Sequence, residues 1–149
     1  MKAAAHLMRG SRVPSGLCVV FRLVCDSTKL GEAIVVTGDS RRLGAWNPLQ
    51  GLYLQTNQND FPVWRSEPVP VEQLAQGMPN PPLLEYKYVI VDQSDPSDIT
   101  SRWEDFDGNR KAMLTYEQAK RDRNYGLIKL RDSYNKNEET PQPAQVEIN

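Results

Sequence analysis

Two of the three tryptophans in this sequence, Trp46 and Trp103, lie in polar segments that are typical of turns. Trp46 closes a loop that follows an apolar run ending at Gly38, and a proline follows it closely. Trp103 precedes an acidic stretch, 104–110, which is a poor setting for a buried ring. Two indoles on neighbouring loops would form a flat or V-shaped apolar platform. Such a platform suits the C–H face of a pyranose, while the hydroxyl groups at the edge of the sugar need polar partners.

Short apolar or alternating runs at regular spacing indicate the strands that would position these loops. The predicted strands are 19–25, 32–37, 52–54, 63–67, 83–91, 99–103 and 110–114. Alternation with period 2 places Phe21 and Leu23 on the core face, and it places Lys87 on the face opposite Tyr86 and Tyr88. The pattern predicts an all-β protein, an antiparallel sandwich or barrel.

Trp64 and the two cysteines are expected to pack rather than to carry chemistry. Trp64 lies in a predicted strand between Pro62 and Pro68, which favours a place in the core. Cys18 and Cys25 are seven positions apart in one predicted strand, so their side chains point to opposite faces and a disulfide between them is geometrically implausible. We expect a buried Cys25 and a partly exposed Cys18, or two thiols kept reduced.

Composition excludes several classes of function. The 149 residues suffice for one domain, and a net charge of −1 argues against a nucleic-acid binder. No run approaches the roughly 20 apolar residues of a membrane span, and residues 1–10 lack the apolar core of a secretory signal, so we expect a cytoplasmic protein without a membrane partner. The single histidine, His6, excludes a histidine-dependent triad or a histidine-rich metal site. We therefore expect neither a metal nor a cofactor.

The sequence divides into four parts by composition. These are a flexible leader at 1–16, the sandwich at 17–114, a helical or docking extension at 115–131 and a disordered tail at 132–149. Thr115 and Gln118 have the spacing of a capping box, which predicts a short helix to about Asn124. The apolar residues expected to dock back on the sandwich, as a strand or a helix, are Leu127, Ile128 and Leu130.

Three segments in order resemble the starch-binding domain of carbohydrate-binding module family 20. They are Leu43-Gly44-Ala45-Trp46-Asn47-Pro48, Leu84-Glu85-Tyr86-Lys87-Tyr88-Val89, and Arg102-Trp103-Glu104 with Asn109-Arg110. The run Val35-Val36-Thr37-Gly38-Asp39 and the position of Trp64 are similar as well, so the resemblance extends from about Leu17 to Leu114. It implies an immunoglobulin-like antiparallel β-sandwich of about seven to eight strands that binds α-1,4-glucans without cleaving them.

The resemblance also implies roles for individual residues. Sugars would stack on Trp46 and Trp103, and the ammonium of Lys87 would donate to sugar hydroxyls. Glu104 and Asn109 would hydrogen-bond the edge of the sugar. Arg110, which follows in the same segment, is expected to brace the loop rather than to touch sugar.

The second site of this family departs from its pattern here. Leu30 stands where the family has a tyrosine before the second strand, and Phe61 is the aromatic residue of the loop that precedes Trp64. A second site is therefore expected to be absent, weakened or rebuilt around Phe61, which makes the cross-linking of two glucan chains doubtful.

Rival interpretations have less support. Glu104, Asp105 and Asp107 are close neighbours on one loop and do not obviously flank a scissile bond, so hydrolysis is not expected. The stretch 105–109 faintly resembles a calcium loop, but it lacks the acidic twelfth position and flanking helices. A protein-interaction module would also use exposed tryptophans, although it would surround them with aliphatic rather than polar residues.

The sequence therefore predicts a non-enzymatic module that binds starch, amylopectin or glycogen. We expect it to target an attached or associated glucan-modifying enzyme to polysaccharide. The alternative is a protein-interaction module that uses the tryptophan platform. Whether the chain is part of a larger enzyme or a separate adaptor does not follow from the sequence.

Overall fold

Alternating apolar side chains build two facing β-sheets in the computed structural model. It describes residues 16–115 and 126–137, together with short strands at 142–143 and 145–148. The strands are β1 (Cys18–Val24), β2 (Glu32–Gly38), β3 (Leu52–Tyr53), β4 (Val63–Arg65), β5 (Val69–Pro70), β6 (Leu83–Asp92), β7 (Thr100–Trp103), β8 (Arg110–Met113), β9 (Gly126–Ser133), β10 (Gln142–Pro143) and β11 (Gln145–Ile148). One α-helical turn, α1 (Val71–Leu74), follows β5. This confirms the all-β sandwich, and the strands beyond the seven predicted are β5, β9, β10 and β11.

Each sheet has a long central strand. The first sheet has the order β11-β9-β1-β4, with β5 also paired to β1, and the second has the order β10-β8-β6-β2-β3, with β7 paired to β6. In β1, Val19, Phe21 and Leu23 are fully buried, as period 2 predicts. In β6, Tyr86 and Tyr88 face the same core. No helix in the described part of the chain is long and apolar enough to cross a membrane.

Trp64 and the cysteines have the predicted packing roles. Trp64 is 8% exposed in the main core, and its indole N–H donates to the carbonyl of Cys25 at 3.1 Å. Cys25 is buried and Cys18 is partly exposed, and both thiols are free.

The predicted boundary of the sandwich at residue 114 is wrong. Strand β9 pairs in parallel with β1 along its length, from Cys18 opposite Leu127 to Val24 opposite Ser133. The segment around Ile128 therefore docks as a strand. Because this strand runs parallel to β1, the sandwich contains a parallel pair as well as antiparallel ones. The leader, apart from Gly16, and the helix predicted after Thr115 lie outside the described residues.

The prediction of disorder from residue 132 is also wrong for the described residues. Asp132 and Ser133 end β9, residues 134–135 form a turn, and β11 pairs antiparallel with β9. The polar composition of this segment reflects a strand with one solvent-facing side and a turn that makes hydrogen bonds, rather than an unfolded tail.

Candidate functional site

Trp46 is held by two consecutive 3-10 turns. The first turn, Arg41–Leu43, is capped by Ser40, whose hydroxyl accepts a hydrogen bond from the backbone N–H of Arg42 at 3.2 Å. Asn47 caps the second turn, Pro48–Gln50, through its side-chain oxygen. Between them, the backbone N–H of Trp46 donates to the carbonyl of Gly38 at 2.9 Å. The loop is thus fixed at both ends and to the end of β2.

The backbone around Trp46 is in the left-handed region for three residues. Gly44, Ala45 and Trp46 have φ values of 83°, 52° and 71°. A Cβ atom at Gly44 would lie 2.6 Å from the carbonyl oxygen of Asn47, so only glycine fits this turn. Positive φ is costly for the other two residues, and the surrounding hydrogen bonds hold them there. Such a strained, fixed conformation is typical of functional loops.

Trp103 meets Trp46 from the other side of the site. It is the last residue of β7, pairs with Val89 of β6, and is 38% exposed. The centroids of the two indole rings are 6.5 Å apart, and their planes are tilted by 35°. Trp46 is itself half-buried. The structure thus brings the two predicted tryptophans together as one tilted aromatic surface, which we call the platform.

Glu104 does not have the role that the resemblance implied. It is 2% exposed, and its carboxylate accepts hydrogen bonds from the backbone N–H groups of Tyr88 (3.0 Å) and Asn135 (2.9 Å) and from the guanidinium of Arg110. Successive residues of a strand point to opposite faces, so an outward Trp103 requires an inward Glu104. The prediction that Glu104 bonds the edge of a sugar is therefore wrong, because its oxygens face the interior and are already bonded there.

Arg110 braces the loop, as expected. It is 4% exposed, and besides Glu104 it contacts the carboxylate of Asp132 at 3.3 Å and the carbonyl of Ser133 at 2.8 Å. Burial acts to lower the pKa of Arg110, but the hydrogen bonds to Glu104 and the charges of both carboxylates outweigh burial and raise the pKa overall. The guanidinium therefore stays charged and links β8 to the end of β9.

Asp132 completes this buried polar cluster. Its Oδ2 atom accepts hydrogen bonds from the hydroxyls of Tyr86 at 2.9 Å and Tyr88 at 2.7 Å. Burial raises the pKa of Asp132, although Arg110 and the two tyrosines oppose that rise. Sequence reasoning missed this residue because it assigned Asp132 to a tail; its place two positions after Leu130 on an alternating pattern was the available signal.

The turn after β9 holds the segment that carries Trp103. The hydroxyl of Tyr134 donates to the carbonyl of Arg102 at 3.3 Å, and the side-chain oxygen of Asn135 accepts from the backbone N–H of Asp105 at 2.8 Å. Asn135 has a φ of 63°, which asparagine tolerates better than most residues. We call residues 133–135 the C-terminal clasp.

Lys87 lies on the outer face of β6, as predicted, two residues before Val89. Its ammonium donates to the carbonyl of Phe106 at 2.8 Å and lies 4.6 Å from the centroid of that ring. The Phe106 ring also faces the guanidinium of Arg110, at 5.3 Å. Phe106 was not singled out in the sequence, yet it anchors the loop after Trp103 against both cations.

Asn109 and Phe61 have different settings. The amide of Asn109 donates to the carboxylate of Glu85 at 3.1 Å, and its side chain is half-buried beside β6. Phe61 is 46% exposed in the loop that leads into β4, in the other sheet. Leu30 is fully exposed in the turn between β1 and β2. The structure therefore gathers Trp46, Trp103, Lys87 and Asn109 around the second sheet and leaves Phe61 apart from them.

The described residues contain no group of three or more histidine, cysteine, aspartate or glutamate side chains that could hold a metal ion. The carboxylates of Glu104 and Glu85 are instead bonded to protein groups. Among the described residues, the buried Glu104 beside Trp103 is bonded to Arg110 and does not face a second carboxylate across an open cleft, which is the arrangement that glycoside hydrolysis uses. What the site offers is a flat apolar surface with a polar rim.

Comparison with known proteins gives one match among curated sequences and several among solved structures. An α-amylase of Thermomonospora curvata is 33% identical over 70 residues, which are 47% of this chain and 10% of the amylase. The family 20 carbohydrate-binding module of a maltotetraose-forming amylase from Pseudomonas saccharophila STB07 superposes with a TM-score of 0.53 at 20% identity, over 78% of this chain and 99% of the module. A glucoamylase from Hypocrea jecorina gives a TM-score of 0.58 at 20% identity, over 83% of this chain and 18% of the enzyme. These structural likenesses show the shared fold, and the chain spans about a tenth of the length of the curated relative it matches.

A family model described as the starch binding domain matches residues 17–123, which is most of the chain and includes every residue of the platform and its rim. Domains of this family bind α-glucans and are not themselves catalytic. The chain therefore belongs to the starch-binding domains of carbohydrate-binding module family 20.

Proposed function

We propose that this domain binds α-1,4-glucans, such as starch, amylopectin or glycogen, by stacking sugar rings on Trp46 and Trp103. The observation that carries the proposal is the tilted pair of indoles, 6.5 Å apart, on the outer side of one sheet. An indole offers a large apolar face with little conformational entropy to lose, which suits the C–H face of glucose. The tilt between the rings suits two successive sugars of a curved chain better than one flat ligand.

Polar groups at the rim would give the site its orientation. The Lys87 ammonium has three N–H donors, and one of them meets the Phe106 carbonyl, so a sugar hydroxyl needs only one of the others. The side-chain oxygen of Asn109 is suited to accept from a hydroxyl, because its amide group already donates to Glu85. Glu104 takes no part, since it faces the interior.

The loop that carries Trp46 is organised before any sugar arrives. Its positive φ values and its hydrogen bond to Gly38 fix the backbone of Trp46, so binding does not have to order the loop. A single aromatic site for a neutral ligand suggests a dissociation constant between micromolar and millimolar, or about −4 to −8 kcal/mol.

The wider role that we propose is to target a glucan-modifying enzyme, attached or associated, to polysaccharide. Its support is the sequence similarity to part of an α-amylase. In such an arrangement the domain supplies affinity for the polymer, and the partner supplies the reaction.

Sedimentation with insoluble starch tests the proposal. The wild-type protein should enter the pellet in proportion to the amount of starch. Trp46→Ala and Trp103→Ala should stay in the supernatant while their circular dichroism remains that of the folded domain. Trp64→Phe is the matched control, because it alters the tryptophan that lies in the core, and it should bind like the wild type.

Two results would contradict the proposal. One is normal pelleting of a folded Trp46→Ala/Trp103→Ala double variant, which would move the site elsewhere. The other is a folded wild-type protein that does not bind starch, which would favour the alternative use of the platform in binding a protein.

A further inference from the structure

A row of four paired residues crosses the outer face of the second sheet. Tyr53 of β3 lies opposite Val35 of β2, Val35 lies opposite Val89 of β6, and Val89 lies opposite Trp103 of β7. Directly paired residues in antiparallel strands have their side chains on the same face. The tryptophan of the platform and Tyr53 are thus the two ends of one transverse row.

Exposure along this row is concentrated in its aromatic ends. Val35 and Val89 are fully buried although they lie on the outer face, and with Val91 they form an apolar cluster separate from the main core. Tyr53 is 37% exposed and Trp103 is 38% exposed. The two rings flank the buried valines, so the surface that this row offers to solvent is aromatic and lies at its two ends.

Tyr53 is held by more than the sheet. Its hydroxyl accepts a hydrogen bond from the side-chain amide of Gln93 at 2.7 Å, and Gln93 directly follows β6. A ring that is fixed at both its backbone and its hydroxyl loses little freedom when a ligand stacks on it. In this respect Tyr53 resembles the two tryptophans rather than a freely moving surface residue.

The spacing fits an extension of one site rather than a separate one. Neighbouring strands lie just under 5 Å apart, so Tyr53 and Trp103 are about 14 Å apart at the backbone. The right-handed twist of the sheet makes the row curved rather than flat. A glucan chain that leaves the platform across the sheet would reach Tyr53 after passing over the side chains that bury Val35 and Val89.

We propose that Tyr53 is a further stacking subsite for α-1,4-glucan, continuous with the platform, so that the domain favours chains longer than Trp46 and Trp103 alone can hold. This inference rests on the proposed function. It assigns to the domain a preference for chain length, with maltoheptaose bound more tightly than maltotriose by means of the added ring.

Titration calorimetry with maltotriose and maltoheptaose tests this subsite in the full chain. Tyr53→Leu keeps an apolar cover over Val35 but removes the planar ring, so its affinity for maltoheptaose should fall by about three- to tenfold. Its affinity for maltotriose should fall far less. Tyr53→Phe restores the ring and should restore most of the preference for the longer chain.

The outcomes separate the subsite from the proposed function. If the folded wild type binds both sugars and Tyr53→Leu matches it for both, Tyr53 only covers the valines and the subsite is overturned. Equal losses for both sugars in Tyr53→Leu would also overturn it, because they would indicate a general distortion. If the folded wild type binds neither sugar, the proposed function fails and the subsite fails with it.

Discussion

Trp103 and Glu104 are consecutive residues, and the alternation of a β-strand sends one to solvent and the other to the interior. The buried carboxylate is tolerated because four hydrogen bonds, two of them from the charged Arg110 guanidinium, replace the water that it loses. These bonds also fix the backbone directly behind Trp103. The position of the exposed Trp103 is thus set by the bonding of the buried Glu104 next to it.

The buried phenols of Tyr86 and Tyr88 predict a loss of stability at alkaline pH. Burial, aided by the charge of Asp132, raises the pKa of both hydroxyls well above 10, and burial raises the pKa of Tyr134 to about 12. As the pH rises past the pKa that these hydroxyls have in the unfolded chain, the unfolded chain loses their protons first. The unfolded state is therefore favoured. Stability is therefore expected to be complete below about pH 10 and to fall above it.

Urea denaturation followed by circular dichroism measures this effect. The midpoint should be lower at about pH 11.5 than at about pH 8, and Tyr88→Phe should show a smaller change because one titrating group is gone. A midpoint that stays constant over this range would show that the hydroxyls do not keep their protons in the fold.

At the scale of elements, the C-terminal clasp positions the segment 102–105 from a strand that belongs to the opposite sheet. Tyr134 and Asn135 bond to this segment on either side of Trp103, and both lie beyond the residues that match the family model. The site is therefore built partly by an element that carries none of the residues proposed to bind glucan.

Asn135→Gly should weaken glucan binding more than other substitutions that lower the free energy of unfolding by the same amount. Glycine keeps the positive φ and the N–H that bonds to Glu104, but it removes the oxygen that accepts from Asp105. One such hydrogen bond is worth about 1 kcal/mol, so we expect about three- to tenfold weaker binding of β-cyclodextrin. Fluorescence titration and urea denaturation would measure the two effects.

Asn57→Gly is the matched control for the clasp variant. The side-chain oxygen of Asn57 accepts two backbone N–H bonds, whereas that of Asn135 accepts one from Asp105, and the turn of Asn57 lies in the loop before β4. Asn57→Gly should lose at least as much stability and keep normal binding, and Asn135→Asp should recover much of the affinity. If Asn57→Gly and Asn135→Gly weaken binding equally, the clasp has no special role.

At the scale of the whole molecule, β9 makes the sandwich complete. It gives β1 a partner along its full length and adds Ile128 and Leu130 to the core. It also delivers Asp132 to the polar cluster that joins the two sheets. The sandwich thus depends on a strand that follows the family match.

A chain that ends at residue 125 should therefore fail to fold cooperatively. It would expose the edge of β1 and leave the buried Arg110 without Asp132 and Ser133. Nuclear magnetic resonance should show poor dispersion for this chain, and a chain that ends at residue 137 should give a well-dispersed spectrum. Cooperative unfolding of the shorter chain would contradict the role of β9.

Local patterns predicted the strands, the buried Trp64 and the outward Lys87, because period 2 and flanking turns are features of neighbouring residues. The same rule, applied to Glu104, would have placed it inside. The pairing of β9 with β1 could not be predicted in this way, since a parallel partner a hundred positions away leaves no local signal. The contact of Lys87 with Phe106 could not be predicted either, because it depends on how the loop after β7 folds back.

Titration calorimetry with β-cyclodextrin shows whether Trp46 and Trp103 form the glucan site. We expect saturable binding to one site in the wild type, and no measurable binding in a Trp46→Ala/Trp103→Ala variant that still unfolds cooperatively. Wild-type affinity in that folded double variant would show that glucan binds elsewhere.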